Sequence, residues 1–464
     1  MKVILLAAGQ SNRVKPIPDK NFLSFCGKPL LEWQLEMIGA LPDVKEIVVV
    51  GNTCNSARIV KFLPQFIKRN SSKLRVSLVT QSEKIKGMAG GVMSAKAHCA
   101  KSDVLIVSAN DVVEEEAFDT VLETAGVVGN YRRGGEEGKS NTPSAIASVV
   151  LLGYEVPSYF PGGYLKLGHA KRVDGIVEKP GEGKEPSSFV NIVVHYYRSY
   201  DLLYKAMSSA KTTRDDRYEV ALDSLISQGM NVVMAHYSGF WQPLKFPWDV
   251  LTLDEHLLKR RMDQLALNAD YVKKGDALVH SSAQIAPSAT IKGEVLIDEG
   301  CKVFENAVIQ GPAYLGEGSI VGNQALMRNS FTGKKCVVGY ATEVARSHFE
   351  DDVWTHSNYI GDSVIGSNVS FGAGAITANL RLDEGAIKWQ GEKTNRTKLG
   401  LVTGDHVRVG VQTCLMPGIS IGSNSMVGGG ITVGEDIGPD EFVYGKTNLI
   451  RKKNKADIKI LRRG

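Results

Sequence analysis

The chain has 464 residues, of which 43% are hydrophobic and 23% charged, and its formal net charge is +5. This length accommodates two or more domains with full-sized cores, and the ordinary globular composition excludes a disordered or fibrous chain. The mild positive charge suits small anionic substrates better than a nucleic-acid groove, so we expect no nucleic-acid partner.

The sequence lacks targeting and redox signatures. Its six cysteines form no CxxC pair and no metal-like spacing, which indicates reduced thiols inside a cell. No stretch approaches the roughly 18 apolar residues of a membrane span, and the apolar start at residues 3–8 is too short for a signal-peptide core. We therefore expect a cytoplasmic protein without membrane contact.

Residues 1–254 alternate short apolar runs with amphipathic stretches. Runs at 3–8, 47–50, 76–80 and 104–108 predict strands, and stretches at 30–38 and 88–99 predict helices. This alternation predicts an α/β, Rossmann-like domain on a mainly parallel sheet that binds ligands at the carboxyl ends of its strands. Residues 130–142 predict a surface loop. Residues 255–276 form the predicted linker, with a helix over 255–274.

A six-residue repeat of apolar side chains begins near residue 277. The positions are Val279, Ile285, Ile291, Ile297, Val303, Ile309, Leu315, Val321 and Met327, and then Val409, Leu415, Ile421, Val427 and Val433. Neither a helix nor an ordinary strand has this period, whereas each short side of a left-handed parallel β-helix places one such residue inward. We predict this fold over 277–445, followed by a solvated basic tail over 446–464.

The turn after the first predicted strand carries a candidate phosphate site. Gly9 opens the turn, and Arg13 and Lys20 follow it, so backbone N–H groups and mobile positive charge lie together. The turn is neither a dinucleotide GxGxxG nor a P-loop, because the further glycines and the GK[ST] are missing. From the residues alone, a surface turn with two basic side chains is an equally good interpretation.

Leu6-Ala7-Ala8-Gly9 with Arg13, Lys20 and Gly27-Lys28-Pro29-Leu30 resembles the signature of sugar-1-phosphate nucleotidylyltransferases, and the resemblance covers the first half of the chain. It implies attack by a sugar 1-phosphate oxygen on the α-phosphate of a nucleoside triphosphate. Positioning and charge neutralisation dominate such chemistry. The implied nucleotide-binding residues are Leu6, Ala8, Gly9, Arg13, Lys20, Gln81 and Gly87, with Arg13 and Lys20 also catalytic.

The same resemblance implies a metal site and a sugar site. Asp111 follows a predicted strand where the family binds Mg²⁺, although a strand-end carboxylate also serves as a turn or helix cap. Glu178 and Asn191 resemble the sugar-contacting positions. Where many relatives have a second metal-binding Asp, this chain has Pro243, with Lys245 in place of a glycine. Met88 and Val193 are further departures, and Asp249 is a candidate replacement ligand.

The second half contains a histidine where the six-residue apolar repeat is interrupted. His356 begins the run His-Ser-Asn-Tyr-Ile-Gly-Asp, and imidazole suits the deprotonation of an amine near neutral pH. An outward surface histidine is the alternative. The run resembles the acetyltransferase half of the bifunctional N-acetylglucosamine-1-phosphate uridyltransferase/glucosamine-1-phosphate acetyltransferase family, where this histidine is the general base.

That resemblance implies further roles. Arg328, Tyr359 and Asn379 would bind the sugar phosphate, Val411, Gly429 and Lys446 would bind acetyl-CoA, and residues 380–398 resemble a loop that closes over the amino sugar. The family often has Lys where Ala345 stands, and the neighbouring Arg346 is a candidate to supply the charge. Such prisms commonly trimerise, so we expect a homotrimer.

The sequence therefore predicts a bifunctional enzyme of amino-sugar nucleotide synthesis, with Mg²⁺ as cofactor and acetyl-CoA as co-substrate. One half would acetylate glucosamine 1-phosphate and the other would join N-acetylglucosamine 1-phosphate to UTP. Three alternatives stay open. In the first, the chain is an acetyltransferase whose nucleotidylyltransferase half is impaired or regulatory. In the second, the chain is a nucleotide-sugar-sensing subunit without catalysis, although His356, Tyr359 and Asn379 together argue against this for the second half. In the third, the first half acts on another hexose 1-phosphate while the β-helix serves assembly.

Overall fold

The computed structural model describes residues 1–70, 74–127, 147–446 and 448–455. The loop predicted over 130–142 and much of the predicted tail lie outside these residues. None of the helices in the described ranges is long and apolar enough to cross a membrane.

The first half is built on one mixed sheet. Its central strands Arg75–Thr80, Glu46–Gly51, Lys2–Leu6 and Val104–Ser108 are parallel neighbours in that order. Phe189–Tyr197 continues the sheet antiparallel to Val104–Ser108. The remaining strands of the sheet are Val149–Glu155, Gly163–Leu167, Val173–Glu178 and Val232–Tyr237. The predicted Rossmann-like architecture is confirmed, with a parallel centre at which Gly9 and Asn110 follow adjacent strands.

Eight α-helices accompany the described part of this sheet. They are α1 Leu30–Gly39, α2 Ser56–Asn70, α3 Gly87–Ser94, α4 Lys96–Cys99, α5 Glu115–Thr124, α6 Tyr200–Ser209, α7 Arg217–Ser227 and α8 Asp249–Leu265, with 3₁₀ turns at Asn12–Val14, Lys20–Phe22 and His169–Lys171. Two small antiparallel pairs complete the half, Ser24–Phe25 with Lys28–Pro29 and Asp111–Val113 with Trp241–Pro243. Apolar side chains on both faces of the sheet form two buried clusters.

The connecting helix differs from its sequence prediction. It is α8, which begins at Asp249 and ends at Leu265, whereas the expected helix covered 255–274. Tyr271–Lys274 is instead a strand that pairs antiparallel with Ala277–His280. The physical reason is pairing: this segment finds an open edge at the start of the β-helix, and tertiary pairing overrides local helix preference.

The second half is a three-sided parallel β-helix, as predicted. Its first face contains Ala277–His280, Val295–Ile297, Ala313–Leu315, Phe331–Thr332, His348–Phe349, Val364–Ile365, Val402–Thr403 and Ser420–Ile421. Its second face contains Gln284–Ile285, Lys302–Val303, Ile320–Val321, Val337–Val338, Ser370–Phe371, Arg408–Val409, Met426–Val427 and Phe442–Val443. Its third face contains Thr290–Lys292, Val308–Gln310, Leu326–Arg328, Glu343–Ala345, Tyr359–Gly361, Ile376–Thr377, Cys414–Leu415 and Thr432–Val433.

The six-residue apolar repeat forms the interior of this prism. Ile297 pairs with Leu315 on the next coil, a spacing of 18 residues, and the residues of the repeat belong to or pack against one buried cluster. The repeat is lost in the middle because the coils shorten. Leu315 pairs with Thr332, and Thr332 with Phe349, at a spacing of 17 residues in each case. Inward residues persist there, although the period of six does not.

The first face packs against the other half of the chain. Leu258 and Leu265 of α8 share a buried cluster with Leu278, Leu296 and Tyr314 of that face. A second cluster joins Phe25 and Trp33 to Val364, Val402 and Trp389. The last of these residues belongs to the excursion 380–398, which contains the hairpin Lys388–Trp389 and Glu392–Lys393. The two halves thus bury apolar surface against each other, and this contact holds them together.

All six cysteines are free thiols. Cys26, Cys99, Cys301 and Cys336 are buried, and the pKa of each is raised by burial. Cys54 in the first half and Cys414 in the second are exposed.

Candidate active sites

A cleft of about 840 Å³ lies at the carboxyl ends of the parallel strands. The structure brings five of the predicted nucleotide-binding residues to its lining, namely Leu6, Ala8, Gly9, Gln81 and Gly87. The departures Met88 and Val193 line it too, as do Asn52, Asn110 and Asp215, which sequence reasoning did not single out. A cleft at this edge of an open α/β sheet is the usual location of a ligand.

Gln81 organises one wall of the cleft. Its side-chain amide donates hydrogen bonds to the carbonyls of Ile85 at 3.2 Å and Gly87 at 3.1 Å, which fixes the turn between them. Gly87 has φ +65°, and a Cβ there would lie 1.8 Å from Oδ1 of Asp215. Only glycine therefore fits this position, and the Asp215 carboxylate closely approaches the backbone of the predicted base-binding segment.

Arg13, Lys20 and Asp111 belong to a charged cluster beside the cleft. Nζ of Lys20 donates to the carbonyl of Leu244 at 3.0 Å, and a Cβ on Gly9 would lie 3.8 Å from Cε of Lys20. Burial lowers the pKa of Lys20, and the charges of Asp111 and Arg13 also act on it. The two predicted phosphate-binding residues are thus near the predicted metal ligand.

Lys245 is the member of this cluster that the sequence reading treated only as a departure. Its Nζ donates to the carbonyl of Pro161 at 3.3 Å and lies 3.9 Å above the Phe160 ring. Burial lowers its pKa to about 8, and the neighbouring charges that act on it include Asp111 and Arg13. A third cation, beside Arg13 and Lys20, therefore lies where the family resemblance implies a glycine, and its side chain is a candidate for phosphate contact.

The fit of Mg²⁺ depends on Asp111. Its Oδ1 accepts a hydrogen bond from Nε1 of Trp241 at 3.2 Å, and Pro243 pairs opposite it in the sheet. Oδ2 of Asp249 accepts from the backbone N–H groups of Lys245 and Phe246, so that carboxylate closes the turn before α8. Within the described ranges, no three His, Cys, Asp or Glu side chains form a metal cluster. Asp111 fits a Mg²⁺ ion that is otherwise held by nucleotide phosphates.

The predicted sugar residues lie together. A Cβ on Gly163 would be 2.9 Å from Oε2 of Glu178 and 4.0 Å from Cβ of Asn191, so both side chains border the same backbone. Oδ1 of Asn191 hydrogen-bonds Nε2 of His195 at 2.9 Å, and Nδ1 of His195 hydrogen-bonds the Tyr218 hydroxyl at 2.7 Å. Burial lowers the pKa of His195 to about 3, so a neutral, buried imidazole orients Asn191.

The third face of the β-helix carries a connected polar cluster. Asn379 donates to the Tyr359 hydroxyl at 3.3 Å and to the carboxylate of Asp362. Arg346 binds the same carboxylate with two hydrogen bonds, of 2.8 and 2.7 Å. One coil earlier, Arg328 donates to Glu343 at 2.7 Å. Two of the three predicted sugar-phosphate residues are therefore in contact, and Arg346 supplies a cation while Ala345 is buried.

His356 lies on the edge between the second and third faces. It is exposed and borders a shallow depression of about 460 Å³ that Tyr340 and Trp354 also line. Among the residues that the structure describes, no hydrogen bond or ion pair connects the His356 side chain to the Tyr359–Asn379 pair. The imidazole is therefore accessible to a substrate, and the polar cluster of Tyr359 and Asn379 lies around the prism edge, on the third face.

The same edge carries the predicted acetyl-CoA residues. Ser357 donates its N–H to the carbonyl of Tyr340, Gln412 to that of Ala373, and Gly430 to that of Val411, so these corners stack coil upon coil. A Cβ on Gly429 would lie 3.2 Å from Cγ2 of Val411, which is 55% exposed. His356, Val411 and Gly429 thus line one edge, and Lys446 is exposed just beyond the last strand.

Comparison with known proteins matches segments in both halves of the chain. Residues 3–137 match the MobA-like NTP transferase domain, and residues 273–382 match the GMPPB C-terminal domain. A protein of Methanococcus maripaludis named bifunctional protein GlmU is 31% identical, over 98% of this chain and 100% of that protein. The chain belongs to the GlmU family.

Two further matches cover almost the whole chain. A GlmU protein of Methanocaldococcus jannaschii is 29% identical over 98% of this chain and 100% of its own. A bifunctional sugar-1-phosphate nucleotidylyltransferase/acetyltransferase of Sulfurisphaera tokodaii is 28% identical over 95% of this chain and 99% of its own. Among solved structures, a UDP-glucose pyrophosphorylase of 17% identity covers 57% of this chain and 98% of its own with a TM-score of 0.44. The family predicted from the residues, and the prediction that the chain is an enzyme, are confirmed.

Proposed function

We propose that the chain makes UDP-N-acetylglucosamine from glucosamine 1-phosphate in two steps. The second half transfers the acetyl group of acetyl-CoA to the sugar amine, and the first half joins the product to UMP from UTP. Membership of a family of bifunctional transferases supports two activities. The observation that carries the proposal is that five of the residues implied for nucleotide binding line one cleft, while His356, Val411 and Gly429 line one edge.

In the nucleotidyl transfer, the sugar phosphate oxygen attacks the α-phosphate and pyrophosphate leaves. Arg13 and Lys20 hold the triphosphate, and Gln81 with Gly87 holds the base. Glu178 and Asn191 hold the sugar, so the two reactants approach within the cleft. Asp111 would hold Mg²⁺, which would neutralise phosphate charge when bound.

In the acetyl transfer, His356 accepts a proton as the amine attacks the thioester carbon, and coenzyme A leaves as the thiol. Tyr359 and Asn379 orient the sugar, and Arg328 pairs with its phosphate. Val411, Gly429 and Lys446 bind acetyl-CoA along the edge. Because His356 lies around the corner from the sugar cluster, a substrate that contacts both has to span that edge.

The second face supports assembly into a homotrimer. Phe304, Tyr340 and Trp354 are 38%, 52% and 58% exposed around the depression beside His356. Neighbouring aromatic side chains on an exposed face are typical of a protein interface. A closed trimer would bury them and bring acetyl-CoA between neighbouring subunits. Free thiols at all six cysteines are consistent with a cytoplasmic enzyme.

A second candidate function is an acetyltransferase with a weak or regulatory nucleotide site. Lys245 beside Asp111, and Pro243 opposite it, favour this alternative, because the chain offers one carboxylate where relatives have two. Such a domain would bind nucleotide and turn it over slowly.

Two assays on one preparation test both halves. Pyrophosphate release is measured with Mg²⁺ across UTP, GTP, ATP, CTP and dTTP, each with N-acetylglucosamine, glucose and mannose 1-phosphates. Free thiol release from acetyl-CoA is measured with glucosamine 1-phosphate. UTP with N-acetylglucosamine 1-phosphate should give the highest kcat/KM, and thiol release should need glucosamine 1-phosphate.

Asp111→Asn is the matched variant. It should lower pyrophosphate release by roughly 10²-fold or more and leave thiol release unchanged, because the loss of a charge-stabilising group costs about that much. Full turnover by this variant would disprove the metal assignment. No pyrophosphate release with any pair would favour the regulatory alternative.

A further inference from the structure

The excursion 380–398 leaves the β-helix and reaches residues 9–19 of the other half, the loop that carries Arg13 and that we name the nucleotide loop. Its hairpin pairs Lys388–Trp389 with Glu392–Lys393, and its two ends meet through a bridge between Leu380 and Lys398. The excursion resembles a loop that closes over the amino sugar. In this chain Ile387 and Trp389 are instead 1% and 3% exposed and share a cluster with Val14 and Ile17 of the nucleotide loop.

Two side chains of the hairpin hydrogen-bond the backbone of that loop. Nε1 of Trp389 donates to the carbonyl of Arg13 at 3.4 Å, and Nε2 of Gln390 donates to the carbonyl of Lys15 at 3.1 Å. The β-helix backbone is also close, since a Cβ on Gly404 would lie 3.0 Å from the carbonyl oxygen of Pro16. The segment that presents Arg13 is therefore fixed from the opposite half of the chain.

The excursion also lies against the segment that follows Lys245. The Trp389 ring lies edge-on to Trp248 with centroids 6.3 Å apart. The charge of Arg396 acts on Asp249, whose carboxylate holds the turn that carries Lys245. Two segments with phosphate-binding side chains thus lie against one excursion of the β-helix.

We propose that Trp389 and Gln390 are positioning residues for nucleotidyl transfer, holding the nucleotide loop ready for the triphosphate. This inference rests on the proposed function of the cleft. The hairpin does not touch the reacting atoms. It restricts the motion of the loop before the nucleotide binds. The entropy cost of ordering the loop on binding is therefore smaller. The prediction is a change in nucleotide affinity with little change in the chemical step.

The variants are Trp389→Phe and Gln390→Gly in the full chain. Trp389→Phe keeps a buried ring and removes the N–H donor. Gln390 has φ 49°, so Gln390→Gly removes the donor without straining the backbone. The matched control is Gln324→Gly, because Gln324 is exposed, has φ 59° and lies between the strands Ile320–Val321 and Leu326–Arg328, which pair with other coils of the β-helix.

The first measurement is amide hydrogen exchange of the peptide spanning residues 9–19, which needs no activity. Each variant should exchange about 2- to 10-fold faster there than the parent, the range that one ordinary hydrogen bond gives. Gln324→Gly should match the parent. Unchanged exchange in both variants would overturn the inference, whatever the activity of the cleft.

The second measurement separates binding from chemistry. KM for the nucleoside triphosphate should rise by a similar factor, while kcat, KM for the sugar phosphate and thiol release stay within twofold. Faster exchange with an unchanged nucleotide KM would also overturn the inference. If the parent binds no nucleotide in equilibrium dialysis, the proposed function fails instead, and the exchange result still decides whether the hairpin holds the loop.

Discussion

Nδ1 of His348 on the β-helix hydrogen-bonds Oδ2 of Asp254 on α8 at 2.8 Å, with both side chains fully buried between the two halves. Nε2 of the same ring contacts Glu350 at 2.9 Å, and Glu350 accepts the backbone N–H of Ser24. Burial alone would lower the pKa of His348, but the two carboxylates outweigh it and raise the pKa to about 10. A charged imidazole therefore connects the halves.

The first prediction concerns pH and stability. Because the folded pKa of His348 is raised, its stabilising contribution should be complete below about pH 6.5, fall above it and vanish beyond about pH 10. His348→Gln should cost about 3 kcal/mol or more at pH 6, since it leaves buried carboxylates unpaired. Denaturant melts from pH 6 to 10.5 check this, with the exposed His406→Gln as control. A difference in the free energy of unfolding between parent and variant that stays constant with pH would contradict this prediction.

The second prediction concerns the general base. His356→Ala should lower the acetylation rate by roughly 10²–10⁴-fold, the usual contribution of a positioned base. KM for glucosamine 1-phosphate should change little, because Arg328 and Asn379, the residues proposed to bind the sugar phosphate, lie on the neighbouring face. The melting temperature should hold, since the side chain is exposed. His406→Ala replaces another exposed histidine of the β-helix and should acetylate at the parent rate. Equal rates for both variants would end the assignment.

The third prediction concerns Lys245. Burial lowers its pKa to about 8, so its charge should disappear as the pH rises through that value. If the ammonium contacts phosphate, KM for the nucleoside triphosphate should rise roughly tenfold between pH 7 and 9. Lys245→Arg keeps its charge throughout this range and should flatten the profile. Steady-state kinetics at fixed ionic strength check this. If Lys245→Arg leaves the dependence of this KM on pH unaltered, the titration belongs to another group.

The fourth prediction concerns assembly. Trp354→Arg places a charge in the exposed aromatic group of the second face and should break the proposed trimer. Light scattering should give the monomer mass, and thiol release should fall while pyrophosphate release persists. Leu267→Arg is the control, because Leu267 is 95% exposed just after α8. A parent that is monomeric at micromolar concentration and acetylates normally would refute the interface.

Much of the fold could be predicted from local pattern. The six-residue repeat that ends at Val433 identified the inward residues of the β-helix, because one position in six points inward on each short side. The strand predicted over 104–108 is Val104–Ser108 in the structure. The strand Tyr271–Lys274 was missed, because its pairing partner, and not its own composition, makes it a strand.

Contacts within the candidate sites were predictable where motifs are local. Gln81 and Gly87 lie six residues apart and meet in one turn. The contact of Trp389 with Arg13 joins residues 376 positions apart, and no periodicity encodes it. Lys245 was noticed as a departure from a pattern, but its place beside Asp111 depends on how two strands pair. Long-range placement of this kind needs the folded chain.

The distribution of thiols gives the molecule a built-in reporter pair. Cys54 in the first half and Cys414 in the second are exposed, while the other four thiols are buried with raised pKa values and react slowly. Maleimide dyes should therefore attach at one place in each half of the native protein. Energy transfer between them would follow any movement of one half against the other during turnover, without a single engineered cysteine.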